Sequence, residues 1–115
     1  MNQRPEPADA NPTFETTLPA DHPVFAGHFP GAPVVPGALL LNLVLEHLAK
    51  CMAIYPATAA LAGQAVQIEQ AKFLAPVLPG QTMRFGFELQ ATGVAFTVHV
   101  GEVCAARGRL AAAPA

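Results

Sequence analysis

The sequence is short of charge. Only 12% of its 115 residues are Asp, Glu, Lys or Arg, against 52% hydrophobic, and six basic residues face eight acidic ones for a formal net charge of −2. That balance gives a nucleic-acid partner no electrostatic support. So little charge on so apolar a chain points to surface buried in an oligomer or wrapped around an apolar ligand. Cysteine is scarce as well: Cys51 and Cys104 lie far apart, and two isolated thiols read as small core residues in a reducing compartment. The opening MNQRPEPADANP has no apolar stretch behind a basic one, so no targeting segment is read there and a cytoplasmic location is expected. The longest apolar stretch, Ala38 to Tyr55, is broken by Asn42, Glu46, His47 and Lys50, which argues against a membrane span. There is no Gly-rich phosphate loop, no Ser-His-Asp arrangement and no internal repeat. His22, His47 and His99 show no metal-ligand spacing, so neither a metal nor another cofactor is expected.

What is present fits one domain over residues 13–110. Residues 1–12, polar and proline-rich, are expected to form a disordered arm, and residues 111–115 (AAAPA) a disordered tail. TFETTL (Thr13 to Leu18), closed by Pro19, reads as a strand. Asp21 to Val35 is rich in Pro and Gly and reads as an ordered loop. Pro36 suits the first turn of a helix, good helix formers follow to Tyr55, and Pro56 stops it. After Gly63 the period becomes two. Val66, Ile68 and Gln70 alternate toward Phe73, and Pro79-Gly80 has the central residues of a type II turn. Met83, Phe85, Phe87 and Leu89 line one face of the next strand. A turn at Thr92-Gly93 leads to Val94, Phe96, Val98 and Val100, and Gly101-Glu102 turns into Val103 to Leu110. The order is strand, one long helix, four strands. A helix apolar on almost every side must be surrounded, and a curved antiparallel sheet does this in an α+β fold.

Three features could carry chemistry. His28 is held between Gly27 and Phe29-Pro30-Gly31, which restrict the backbone on both sides. It reads either as a general base or as a histidine satisfied by a loop carbonyl. Pro36-Gly37 opens the helix with no Ser, Thr, Asp or Asn immediately before it. The first N–H groups are thus open to a carbonyl oxygen or to water. Asn42, Glu46 and Lys50, at i, i+4 and i+8, form one line along the helix, with His47 at its flank. Lys72, Arg107 and Arg109 are scattered basic residues whose plainest role is solubility.

Gly27-His28-Phe29-Pro30-Gly31, Pro33, Pro36-Gly37 and the apolar helix opening resemble the hot-dog-fold 3-hydroxyacyl-acyl carrier protein dehydratases of the FabZ and FabA type. The nearest likeness is to the short ApeI-like branch associated with aryl polyene pigment synthesis. Lys72 to Gly80, KFLAPVLPG, resembles the family's second signature, and the likeness runs from about Phe14 to Leu110.

The resemblance implies a hot-dog fold and a dimer, with the histidine of one protomer facing an acid on the helix of the other. His28 matches the family's base, and Gly37 the glycine whose N–H holds the thioester carbonyl. Phe29 and Pro36 would flank the substrate, and Lys72, Arg107 and Arg109 could meet an acidic acyl carrier protein. Position 42, where the family carries Glu or Asp, holds Asn, which cannot deliver a proton at ordinary pH. Glu46 stands four residues on, about 6 Å of helical rise at most.

Four readings follow. In the first, Glu46 replaces the acid in a dehydratase acting on carrier-bound 3-hydroxyacyl thioesters in fatty-acid or polyene synthesis. In the second, Asn42 orients water or the hydroxyl while His28 both takes and returns the proton. In the third, the chain is a weak or inactive subunit of a mixed dimer whose other chain supplies the acid. In the fourth, Glu46 activates water in an acyl thioesterase.

Overall fold

The computed structural model describes residues 13–25, 34–54, 66–90 and 93–112. Period-two patterning becomes five strands and the apolar run becomes one helix. These are β1 (Thr13–Thr17), α1 (Gly37–Ile54), β2 (Val66–Phe73), β3 (Thr82–Gln90), β4 (Gly93–Val100) and β5 (Val103–Ala112), with a single 3₁₀ turn at Pro23–Phe25 inside the expected loop. The strands form one antiparallel sheet in the order β1-β3-β4-β5-β2. Helix α1 packs against this sheet in the expected α+β arrangement.

Alternation decides what the sheet gives the core. Met83, Phe85 and Phe87 from β3, Val94, Phe96 and Val98 from β4, and Leu110 from β5 are buried. They meet Leu40, Leu43, Val44, Leu48 and Cys51 of the helix in one cluster. Burying a large apolar side chain is worth roughly 1.5–3 kcal/mol, so this seam dominates the stability. Gly80 adopts φ +83° in the turn after β2, which a type II turn requires at that position. Its N–H donates to Leu18 O at 2.8 Å, fastening the turn to the end of β1.

Four details differ from the expectation. Helix α1 starts at Gly37 rather than Pro36. The proline instead precedes the helix, and its carbonyl accepts the first helical bond from Leu40 N–H at 3.0 Å. The pairing of β2 with β5 shifts register between Ile68 and Gln70. Such a bulge sets two residues against one, so Gln70 is exposed and Ala71 takes the half-buried place. Strand β5 runs two residues past Leu110: Ala111 and Ala112 pair with Gln67 and Val66, so they belong to the sheet and not to a tail. Finally, the sheet does not enclose the helix completely. Ala38, Asn42, Glu46, Ala49 and Lys50 leave an exposed stripe along it. The expected arm at residues 1–12 lies outside the described residues.

Candidate functional site

The start of α1 faces a cleft of about 340 Å³ lined by Val35, Gly37 and Leu40 on one side and Phe73 to Val77 on the other. Its apolar floor is firm, because Val35, Leu40 and Val77 are all buried. Backbone bonds hold both rims. Val35 N–H donates to Val77 O at 2.8 Å, and Leu74 and Ala75 N–H both donate to Ala105 O, at 2.8 and 3.2 Å. The KFLAPVLPG segment thus forms a wall against the helix N-terminus, whose unpaired N–H groups carry partial positive charge. A small acyl group with a carbonyl aimed at Gly37 suits this chemistry. The ring of Phe73 lies over Gly37, and a Cβ built there would sit 3.1 Å from its Cζ.

Asn42 and Glu46 stand in line on the same helix, both exposed on the single chain with Lys50 beyond them. Their side chains point away from the core. His28 and Phe29 lie outside the described residues, and Pro36 is half-buried at the helix start.

His47 does not flank the polar stripe as expected; it is 4% exposed. Its position, between Val44 and Cys51 on the buried side of α1, follows the helical period. The ring stacks on Phe14 at 5.4 Å and meets Phe85 at 4.7 Å. Nε2 lies 2.7 Å from Thr16 Oγ1, while Nδ1 has no hydrogen-bond partner among the described residues. Burial lowers its pKa from 6.5, helped by nearby Lys50 and partly opposed by Glu46. It is a packing histidine. His22 sits in the turn before the 3₁₀ segment, its ring edge-on to Phe25 at 6.4 Å.

The three basic residues separate. Lys72 on β2 and Arg107 on β5 are direct cross-strand neighbours, next to Thr97 of β4, beside a cleft of about 230 Å³. Arg109 is engaged by Glu69 and by Gln90, the latter at 3.0 Å. Cys51 is buried in the core and Cys104 is half-buried, its thiol 3.4 Å from Ala106 O. Among the described residues no cluster of His, Cys, Asp or Glu could hold a metal, and no helix is long and apolar enough to cross a membrane.

Residues 4–109 match the sequence profile of the ApeI-like family, described as ApeI dehydratase. The chain belongs to the ApeI-like dehydratase family. Among curated relatives, the FabZ 3-hydroxyacyl-acyl-carrier-protein dehydratase of Pelotomaculum thermopropionicum is 34% identical over 99 residues, covering 79% of this chain and 69% of that protein. The FabZ of Desulforamulus reducens is 37% identical over 70 residues, covering 61% of this chain and 49% of that one. The chain spans about half the length of several such relatives. Among solved structures, the dehydratase heterocomplex ApeI:P from Xenorhabdus doucetiae aligns with TM-score 0.73 at 22% identity, over 97% of this chain and 95% of that one. A fluoroacetyl-CoA-specific thioesterase, FlK, aligns with TM-score 0.57 at 16% identity, over 90% of both chains. At these identities the structural likenesses speak for the hot-dog fold.

The sequence pointed to Gly37 and to the second signature but not to their contact. The apolar walls Val35 and Leu40 were also missed, since they face the second signature from a separate segment. His47 could have been found by extending the buried spacing Leu40, Val44, Cys51 along the helix.

Proposed function

We propose that this chain is a hot-dog dehydratase that converts 3-hydroxyacyl thioesters, carried on acyl carrier protein, to trans-2-enoyl thioesters. The observation that carries the reading is the helix start at Gly37, which lines an apolar cleft, on the same helix that exposes Asn42 and Glu46. Removing the α-proton of a thioester builds negative charge on its carbonyl oxygen. Gly37 N–H and the helix N-terminus would stabilise that oxygen. His28 takes the α-proton, the carbon–oxygen bond to the 3-hydroxyl breaks, and a carboxylic acid returns a proton so that water departs. In this chain Glu46 is the acid and Asn42 holds the hydroxyl or the leaving water. That Asn42 and Glu46 face outward supports the dimer the resemblance implies, with the base from one chain and the acid from the other.

A second reading has its own support. The amide at position 42 leaves the family's acid place without a proton to give, and the structural relative is named as a heterocomplex. Here the chain contributes His28 and Gly37 to a mixed dimer whose partner supplies the acid. Thioester hydrolysis, with Glu46 activating water, is the third outcome to be tested.

The experiment incubates the purified chain with a 3-hydroxyacyl carrier thioester and follows enoyl formation in wild type, His28→Ala, Glu46→Gln and Asn42→Asp. Loss of activity in both His28→Ala and Glu46→Gln is the result expected. Full activity in Glu46→Gln removes Glu46 as the acid. An inert wild type that gains activity as Asn42→Asp selects the partner-subunit reading, and free acid without enoyl product selects a thioesterase.

A further inference from the structure

The geometry points to His47 as the positioning residue of α1: its contact with Thr16 sets how far the helix is turned about its axis, and so where Gly37, Asn42 and Glu46 stand. The inference rests on the dehydratase reading for the roles of those three residues. Three contacts hold the imidazole. Phe14 and Phe85 are direct cross-strand partners in β1 and β3. The ring meets both, 17° from parallel to Phe14 at 5.4 Å and tilted by 39° to Phe85 at 4.7 Å. Nε2 lies 2.7 Å from Thr16 Oγ1, two residues along β1 from Phe14 and on the same strand face. The plane, the place and the direction of the ring are thereby all specified. Every one of these groups belongs to one chain, and the histidine is only 4% exposed. The contact therefore does not depend on what covers the outside of the molecule.

The apolar packing of α1 defines its rotation less sharply. Leu40, Leu43 and Leu48 are buried, and Leu39, Leu41 and Leu45 lie half-buried against the same cluster. A helix turned to either side exchanges leucine for leucine, and cores held by apolar contacts alone lose uniqueness before they lose stability. A hydrogen bond has direction. If the helix turns, Nε2 leaves Thr16, while Nδ1 already lacks a partner among the described residues. The imidazole is then buried with both nitrogens unpaired, which penalises the turned state. One buried polar residue fixes the register of a coiled coil in the same way. The consequence at the site is large. A turn of roughly 20° moves a side-chain tip, about 5–6 Å from the helix axis, by about 2 Å. A misplacement of about 1 Å can cost ~10²-fold in rate.

The test removes both polar partners at once. A double variant, His47→Leu with Thr16→Val, leaves neither group of the pair unpaired, so its Tm is expected to stay near that of wild type. Leucine and valine methyl groups are followed by NMR, and dehydration of a 3-hydroxyacyl carrier thioester is followed in parallel. Wild type is expected to give one set of methyl signals for residues 39–48. The double variant should give several sets there, or one set with altered NOEs to the sheet, while Val94 and Val98 of β4 keep single sets. Its kcat should fall at least about tenfold while KM changes little. One set with wild-type NOEs in the folded double variant overturns the inference, as does wild-type kcat from a variant whose helix signals have changed. Should the double variant not fold, Thr16→Val and Thr16→Ser decide by the same spectra. Valine removes the hydroxyl and should change the helix signals, whereas serine keeps it and should not; identical spectra from the two overturn the inference. The enzyme assay separates the two claims. Changed helix signals with no enoyl product from wild type support the positioning role and refute the dehydratase reading, whereas enoyl product from wild type with an unaltered helix in the double variant does the reverse.

Discussion

His47 ties the helix to the edge strand: its Nε2 lies 2.7 Å from Thr16 Oγ1, with the ring between Phe14 and Phe85. The imidazole is therefore part of the core, and its charge state is linked to folding. Burial lowers its pKa in the folded chain below 6.5. Above 6.5 both folded and unfolded chains hold it neutral. As pH falls below 6.5, the unfolded chain takes up the proton first, so stability declines until the lower folded value is passed and then levels. Urea titrations from pH 8 downward should show His47→Leu losing this part of the decline. An identical pH profile in the two proteins would remove His47 from the account.

Thr16→Val strips the same contact from the other side. It leaves both ring nitrogens unpaired in an apolar site, at a cost of about 1–3 kcal/mol. Since among the described residues β1 pairs only with β3, the loss should appear first as faster amide exchange in Thr13–Thr17. Uniformly faster exchange across all strands would contradict this.

Gly108→Ala should be severely destabilising. A Cβ there would lie 2.0 Å from Gln70 O and 2.6 Å from the Phe96 ring, so a backbone oxygen in the β2–β5 pairing must move. Overpacking of a filled site costs typically 1–3 kcal/mol, and a backbone clash places this variant at the upper end. A lowered Tm checks it, and a Tm equal to wild type would refute the packing described.

Glu46→Gln should leave Tm nearly unchanged, because the side chain is exposed and such substitutions usually fall within about 0.5 kcal/mol. If Glu46 is the acid, kcat for dehydration falls by ~10²–10⁴ while binding of an acyl-pantetheine amide is retained. A parallel loss of binding would mark Glu46 as a binding residue instead.

Lys72 and Arg107 place like charges directly opposite each other, an arrangement that costs stability unless an anion lies between them. Reversing both to Glu should raise KM severalfold for a carrier-borne substrate and leave a pantetheine-borne one unaffected. The carrier effect should shrink in high salt. Arg109→Glu should act mainly through lost contact with Glu69 and Gln90, lowering Tm with little change in KM.

Periodicity alone determined most of the architecture. Alternation at Met83, Phe85 and Phe87, and again at Val94, Phe96 and Val98, specifies which strand faces are buried, because successive side chains point to opposite sides. Pro36 and the apolar run after it specify one long helix, and Pro79-Gly80 specifies a turn whose glycine has positive φ. The motif around His28 and Gly37 determined the family in the same local way, since fixed Pro and Gly positions encode backbone shape. The bulge at Ile68/Gln70 and the extension of β5 to Ala112 were decided by pairing with a neighbouring strand, which no local pattern records. Tertiary structure also decided that His47 meets Thr16, that Arg109 is engaged and that the Phe73 ring lies over Gly37, 36 positions away in the chain. Each of these depends on which distant segment the folded backbone brings within contact distance. Short-range sequence spacing carries no information about that.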